Sequence, residues 1–304
     1  MEVKIRGQKL FPLLCGLLVV IACCFRTTAI LQEDKSWVSP PELPTYVYMT
    51  REQSEMPVRV TEEQGAAELS MPRIDNRSGA DFDGEALLRK ELHFPVTEEP
   101  CVLIIHTHGS EAYRDQEGYR CEDPEQNVIR VGREIADSLN AAGIPTIHDT
   151  TAHDLTDGYD RAYEQTEEAI EAYLDKYPTI RMVIDVHRDA ASDGQGGQKP
   201  ISCNLHGEEV AGLMLVMGTD TAELPHENWR ENLAFAMQLQ AYLTEDASEL
   251  MRPISLRSAR YNEHFTPCSI LLEVGSAGNT MEEALLSGRY FGEGLAGFIK
   301  AMEP

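Results

Sequence analysis

Short, wholly apolar runs alternate with stretches of helical period through the last two thirds of this chain. Cys101-Val-Leu-Ile-Ile, Ile144-Pro-Thr-Ile-His, Arg181-Met-Val-Ile-Asp-Val-His and Gly212-Leu-Met-Leu-Val-Met-Gly each read as a strand. Arg252 to Leu256 and Ser269 to Val274 read as two more. A run without polar alternation fits a strand buried on both faces, as parallel strands are. Between the runs, Val128, Val131, Ile135 and Leu139 recur at helical spacing within 127–142, and Gly143 follows as a stop. Helices are also expected over 159–177, ended by Pro178, over 227–247 and over 281–302. Strand–helix alternation dictates an α/β fold, a single layered domain with a mostly parallel sheet flanked by helices.

The region before this domain is of another kind. Lys4, Arg6 and Lys9 precede a nearly continuous apolar stretch, Leu10 to Phe25. That is a positive n-region followed by a hydrophobic one. The run is about 16 residues where a comfortable span takes roughly 20, and Arg26 to Leu31 can extend it. The expectation is a basic cytoplasmic stub and membrane anchor over 1–31, with the remainder outside. A cleaved signal peptide, or lipidation at Cys23 of Val20-Ile21-Ala22-Cys23, are the alternatives. Residues 32–95 hold six prolines and scattered acids. They read as an extended tether with short helical pieces near 62–69 and 84–93. The domain proper is placed at 96–304.

Charge narrows the partners. With 51 acids against 26 Lys and Arg the chain carries −25, which repels phosphate backbones and excludes a general nucleic-acid binder. It also means that contact with any anionic partner rests on local recognition or on delivery by another protein. Seven cysteines, with no CxxC pair, make neither a disulfide scaffold nor a thiolate zinc finger. A Cys121–Cys268 bridge is open, with no spacing that compels it.

In sheets of this kind chemistry gathers beyond the carboxyl ends of the strands. His106, His108 and Glu111 follow the first strand, and His187, Arg188 and Asp189 close the third. Glu273 stands inside the last, in Ile270-Leu-Leu-Glu-Val-Gly275. Two imidazoles and a carboxylate suit Zn²⁺, with a second carboxylate left to act as base. His106 and His108 point the same way if the strand stays extended. Asp185 is open between ligand, ligand partner and packing acid. An unpaired carboxylate at Glu273 would cost several kcal/mol if dry, so something must compensate it. Against the metal reading stand hydrogen-bonded strand-end histidines and an ion pair of Glu273 with Arg188 or Arg260. The 257–264 loop, Arg-Ser-Ala-Arg-Tyr-Asn-Glu-His, is suited to gripping a polar substrate and equally to lying solvated. Ser110 has no GxSxG elbow, which disfavours a serine hydrolase.

His106-Thr-His-Gly-Ser-Glu111-Ala-Tyr, Asn127-Val-Ile-Arg-Val-Gly132, Val183-Ile-Asp-Val-His-Arg-Asp-Ala190, Asn228-Trp-Arg-Glu-Asn232, Arg260-Tyr-Asn262 and Leu271-Leu-Glu-Val-Gly275 resemble the stage II sporulation protein P family, in order and spacing. The resemblance implies a zinc-dependent N-acetylmuramoyl-L-alanine amidase with a fold similar to other zinc amidases of that class. It further implies endopeptidase action on peptide cross-links of peptidoglycan, and work in engulfment alongside stage II sporulation proteins D and M. The catalytic domain would lie outside the cell membrane, between mother cell and forespore. By position, His108 and His187 match the metal histidines and Glu273 the catalytic glutamate. The carboxylate ligand is Glu111 by the HTHxxE pattern, or Glu122 or Glu125 by the pattern of related amidases; Glu111 is favoured because one turn of chain brings it to His108. Arg188 is expected to help stabilise the oxyanion, and His106, Asp189, Asn228, Arg230, Arg260 and Asn262 to support ligands or bind substrate. A metal-free wall-binding scaffold and a zinc carboxypeptidase of wall peptides are the competing functions.

Overall fold

The computed structural model describes residues 70–302 apart from 157 and 223. The expected anchor at 1–31 and most of the tether therefore lie outside the described residues. Among the described residues no helix is long and apolar enough to cross a membrane.

Seven strands form one sheet. In chain order they are β1 (Ile74–Asn76), β2 (Val102–Ile105), β3 (Thr146–His148), β4 (Met182–Asp189), β7 (Leu213–Met217), β8 (Ile254–Leu256) and β9 (Ile270–Ser276). β5 (Ser202–Leu205) and β6 (Glu208–Ala211) make a separate antiparallel hairpin. The helices are α1 (Gly84–Leu88), α2 (Val128–Ala141), α3 (Ala162–Lys176), α4 (Trp229–Asp246) and α5 (Met281–Ala301).

The spatial order of the sheet is β1-β8-β7-β9-β4-β2-β3. Every neighbouring pair is parallel except β7 and β9, which run antiparallel. An apolar run encodes burial and not direction, so the sequence pattern yields the strand and leaves its sense open.

The pleat sorts residues cleanly between the two faces. Val102, Ile104, Met182, Ile184, Val186, Leu213, Leu215, Ile270, Leu272 and Val274 enter the main core beneath α2, α4 and α5. The intervening residues of β4, β9 and β7, which are Asp185, His187, Leu271, Glu273, Met214 and Val216, share the other face. That face is walled by the 159–163 segment and by the loop after β8.

Local signals place the helices. Asn127 caps α2, its side chain accepting from Ile129 N at 2.9 Å. Such a cap stabilises by about 1 kcal/mol. Thr280 and Glu283 form a reciprocal capping box at the start of α5. α2 buries Val128, Val131, Ile135 and Leu139, the residues whose spacing predicts it.

The tether expected over 32–95 is too long. Ile74–Asn76 add the outermost strand of the sheet, in parallel register with Ile254–Leu256. Leu87 and Phe94 are buried in the core. Three residues of strand and two isolated apolar side chains carry too weak a periodic signal to be read among so many prolines. The hairpin of β5 and β6 escapes for a similar reason, since most of its residues are exposed or half-buried. Cys101, Cys121, Cys203 and Cys268 are all free thiols, so Cys121 and Cys268 do not bridge.

Candidate metal centre

His187 and Glu273 are neighbours across β4 and β9, paired in parallel register and facing the same way. His108 and Glu111 reach that face by a different route. The chain leaves β2 after Ile105 and turns at once. Asp185 accepts from Thr107 N at 2.9 Å and from Thr107 Oγ1 at 2.6 Å. Ser110 N donates to Asp154 at 3.1 Å, and Arg120 ties Ser110 Oγ and Asp154 together at 2.7 and 2.9 Å. Gly109 is required in this turn, because a Cβ there would lie 2.6 Å from the Ala152 backbone. The turn delivers His108 and Glu111 beside His187. Each of the three offers one ligand atom, and these atoms lie within 4.8 Å of one another, all buried.

The charges around the three are unbalanced toward a cation. His187 Nδ1 lies 3.3 Å from Glu111 Oε2. Its Nε2 lies 3.0 Å from Asp185 Oδ1, though off the line of a hydrogen bond. Burial pushes the His187 ring down, but the two carboxylates outweigh it and raise its pKa well above the usual histidine value. Burial pushes Glu111 up, and His187 and Arg188 together hold it below the ordinary carboxylate range. Asp185, likewise opposed by burial, is held at about 2 by His187 and Thr107. A buried imidazole flanked by two carboxylates marks a place built for positive charge. His108, lowered by burial and by the charge on His187, stays neutral and free to donate a lone pair. Two imidazoles and one carboxylate are a donor set that fits Zn²⁺.

Glu273 is the least compensated group, with the charges of His187 and Arg188 pulling against a larger effect of burial. The residue is partly exposed on the cleft, yet its Oε2 is buried and has no hydrogen-bond partner. Burial, with the charges of Glu111 and Asp189, pushes its pKa up to about 8. Neither Arg188 nor Arg260 forms an ion pair with it, because both are engaged elsewhere.

Arg188 takes on a positioning duty. Its Nε donates to Ala112 O at 3.1 Å, Nη2 to Tyr119 O at 3.0 Å and Nη1 to Glu111 Oε1 at 3.2 Å. Its backbone N also donates to Glu111 Oε2, at 3.2 Å. These bonds make Arg188 the anchor of Glu111 and its loop, and its guanidinium also borders the cleft. Asp185 resolves as the group that orients His187 and pins the turn. His106 is also relocated. It shares the face of Val186, whose carbonyl its Nδ1 approaches at 3.1 Å, and its Nε2 lies 2.9 Å from His148 Nε2. It sits beneath α2, where a Cβ on Gly132 would come within 2.5 Å of its ring. The strand does not stay extended past Ile105, so His106 and His108 part company.

The remaining expectations divide. Asp189 lines the cleft and pairs with Arg252 at 2.9 Å. Asn228 Nδ2 donates to His264 O at 2.8 Å, Asn262 Nδ2 to Tyr163 O at 2.8 Å, and Arg260 pairs with Glu167 at 2.7 Å. These three hold the 257–264 loop in place and do not line the cleft. Arg230 is exposed, its guanidinium 4.1 Å from the Trp229 ring centroid. Glu122 and Glu125 are exposed, and Glu125 pairs with Arg133 at 2.6 Å, so Glu111 alone of the three candidates meets the histidines.

The cleft encloses about 300 Å³ and also takes in Tyr159, Tyr163, Met214, Arg257 and Tyr261. The sequence pattern marks Arg257 and Tyr261 only as members of a polar loop suited to a polar substrate, and gives no signal for Tyr159, Tyr163 or Met214. Tyr159 stacks on His108 at 4.2 Å between centroids, the two planes nearly parallel, and Tyr163 meets the same ring edge-on at 5.5 Å. These two rings fix the imidazole. A second buried acid was missed altogether. Glu263 accepts from Gly218 N at 2.7 Å and Leu271 N at 3.2 Å, and burial raises its pKa well above the usual value. It staples the loop to β7 and β9.

Fold and site together define a layered α/β protein with a candidate two-histidine, one-carboxylate metal centre and a free acid beside it. The profile of the Stage II sporulation protein P family matches residues 43–296. The chain belongs to that family. A curated relative, Stage II sporulation protein P of Bacillus subtilis (strain 168), is 23% identical over 201 residues, which is 61% of this chain and 48% of the relative. The match thus spans about half the relative's length. Among solved structures, N-acetylmuramoyl-L-alanine amidase AmiC2 of Nostoc punctiforme is similar at 18% identity and a TM-score of 0.40, over 68% of this chain and 98% of that one. The CwlD amidase from Clostridioides difficile, solved in complex with the GerS lipoprotein, is similar at 14% identity and a TM-score of 0.39, over 66% and 94%.

Proposed function

We propose that this protein is a peptidoglycan hydrolase that cleaves the amide between N-acetylmuramic acid and L-alanine. The observation that carries the reading is Glu273, a carboxyl with a buried, unpartnered oxygen in the same cleft as the His108–Glu111–His187 cluster. His108, Glu111 and His187 would hold Zn²⁺. A zinc ion held there supplies polarisation of the scissile carbonyl and acidification of a water.

The chain's own groups do the rest. Tyr159 and Tyr163 clamp His108, and Asp185 orients His187. Arg188 anchors Glu111. Glu273 accepts a proton as water adds to the amide carbonyl carbon. It then gives that proton to the departing nitrogen of L-alanine, so the carbon–nitrogen bond breaks to a carboxylic acid and a free amine. A base raised toward neutrality by burial is suited to both transfers. Membership of a sporulation protein family supports a role for this hydrolysis in sporulation. The protein would act during engulfment, held at the membrane by the apolar run at 10–25 with its domain outside. Stage II sporulation proteins D and M would be its partners, and cross-link endopeptidase action a further activity.

Mass spectrometry of muropeptides after digestion of purified cell wall tests the proposal. Amidase action yields free stem peptides and glycan without peptide. Digestion that trims peptides while leaving them on the glycan would instead make the protein a peptidase. Glu273→Gln should reduce release by about a hundred-fold or more.

A further inference from the structure

Among the described residues, Arg257 is the cleft-lining cation that has no acidic partner. Three arginines approach the site. Arg188 spends its Nε and one hydrogen of each terminal nitrogen on Glu111 and two carbonyls, and Arg252 is paired with Asp189. Arg257 lines the cleft, and its side chain makes one hydrogen bond, from Nε to Ser255 Oγ at 2.7 Å. Among the described residues no carboxylate lies in ion-pair range of it. In a chain with 51 acids against 26 Lys and Arg, a guanidinium facing a cleft without an acidic partner is unusual. Its fork matches a carboxylate bidentately.

The sheet fixes where this cation stands. On β7, Met214 is opposite Glu273 and Val216 is opposite Leu271. Arg257 N donates to Met217 O at 2.8 Å, one residue further along. With Met217 beside Leu256, Arg257 stands level with Gly218, so four residues of strand separate it from the level of Glu273, about 13 Å at roughly 3.3 Å per residue, with β7 between the two. Met214, Val216 and Leu271 floor the interval with apolar side chains. The wall that carries Arg257 is held rigid. Tyr261 and Asn262 both adopt left-handed backbone, with φ of 48° and 58°. Two such non-glycine residues cost of order 1–2 kcal/mol each. Asn262 bonded to Tyr163 O, Glu263 bonded to Gly218 N and Leu271 N, and Asn232 bonded to Glu263 O keep them there.

We propose that Arg257 forms a carboxylate subsite for the peptide arm of the substrate, binding the free α-carboxylate of its second, glutamyl residue. The inference rests on the amidase reading and extends it. With the lactyl carboxyl of muramic acid tied up in the scissile amide, the peptide is the arm that carries free carboxylates. Arg257 thereby sets which way the substrate lies: peptide over β7 toward the β8 loop, glycan on the side of His108 and Tyr159. The glutamyl α-carboxylate lies about two residue lengths from the scissile amide, about 7 Å, within reach of the guanidinium on its flexible stem.

The test compares N-acetylmuramoyl-L-alanyl-D-glutamate with its α-amide, using the full chain with zinc added. Binding is measured by calorimetry to Glu273→Gln protein, and hydrolysis by wild type. The acid should bind at least about ten-fold more tightly than the amide. In the Glu273→Gln, Arg257→Gln double variant that ratio should fall to near one, and Arg257→Lys should restore part of it. Equal binding of acid and amide, or a preference that survives Arg257→Gln, overturns the subsite. If the acid binds preferentially through Arg257 but neither compound is hydrolysed by wild type, the subsite stands and the amidase reading fails.

Discussion

Replacing Glu273 by glutamine should make the metal-free protein more stable, and most so above neutral pH. In the unfolded chain Glu273 loses its proton near 4.5, whereas the fold keeps it protonated up to about 8. Between those values the folded state holds one more proton than the unfolded state, so stability falls as pH rises. The gap corresponds, at about 1.4 kcal/mol per pH unit, to a ceiling of about 5 kcal/mol. Relaxation and water entry reduce it, and about 2 kcal/mol is a reasonable expectation. Glutamine imitates the protonated carboxyl and so escapes the penalty. Urea denaturation in the presence of a chelator, at pH 5.5 and pH 8.0, reads the effect. The stability difference between variant and wild type should be small at pH 5.5 and favour the variant at pH 8.0. A difference that does not grow with pH, or a variant less stable than wild type at pH 8.0, would refute the idea that the carboxyl is buried with too little compensation.

Three further outcomes follow from the geometry. His108→Ala and His187→Ala should each lower zinc content in elemental analysis, and wild-type occupancy in either would remove that residue from the ligand set. Arg188→Met should weaken zinc binding by roughly ten- to a hundred-fold in a chelator competition, since Glu111 loses its anchor; unchanged affinity would deny Arg188 that role. Gly132→Ala ordinarily favours a helix, but here its Cβ would meet the His106 ring at 2.5 Å. A lowered melting temperature, equivalent to about 2 kcal/mol, is expected, and a raised one would show that the histidine pair yields.

Much of this molecule can be read from its sequence, in a pattern that follows range. Strands buried on both faces announce themselves as apolar runs, and β2, β4, β7 and β9 stand where Val102, Met182, Leu213 and Ile270 open such runs. Helix limits follow caps that act over three or four residues, as at Asn127 and Thr280. Glu273 is legible because a carboxylate inside an apolar strand has no cheap explanation. What fails is what distant segments decide. Whether His106 or His108 faces the cleft depends on Asp185 seizing Thr107 from 78 residues away. The direction of β7 depends on its neighbours, and the duty of Arg188 on where Ala112 and Tyr119 turn their carbonyls. Tyr159, Tyr163 and Arg257 join the cleft from different loops, and no local spacing connects them.

The strand at Ile74–Asn76 has a practical consequence. Cutting the chain at residue 96, where composition suggests the domain starts, would strip β8 of its outer neighbour and take Leu87 and Phe94 from the interior. The bared edge would offer unpaired amides and carbonyls to another molecule, inviting sheet-to-sheet association in a shortened recombinant fragment. Any such fragment should begin upstream of Ile74.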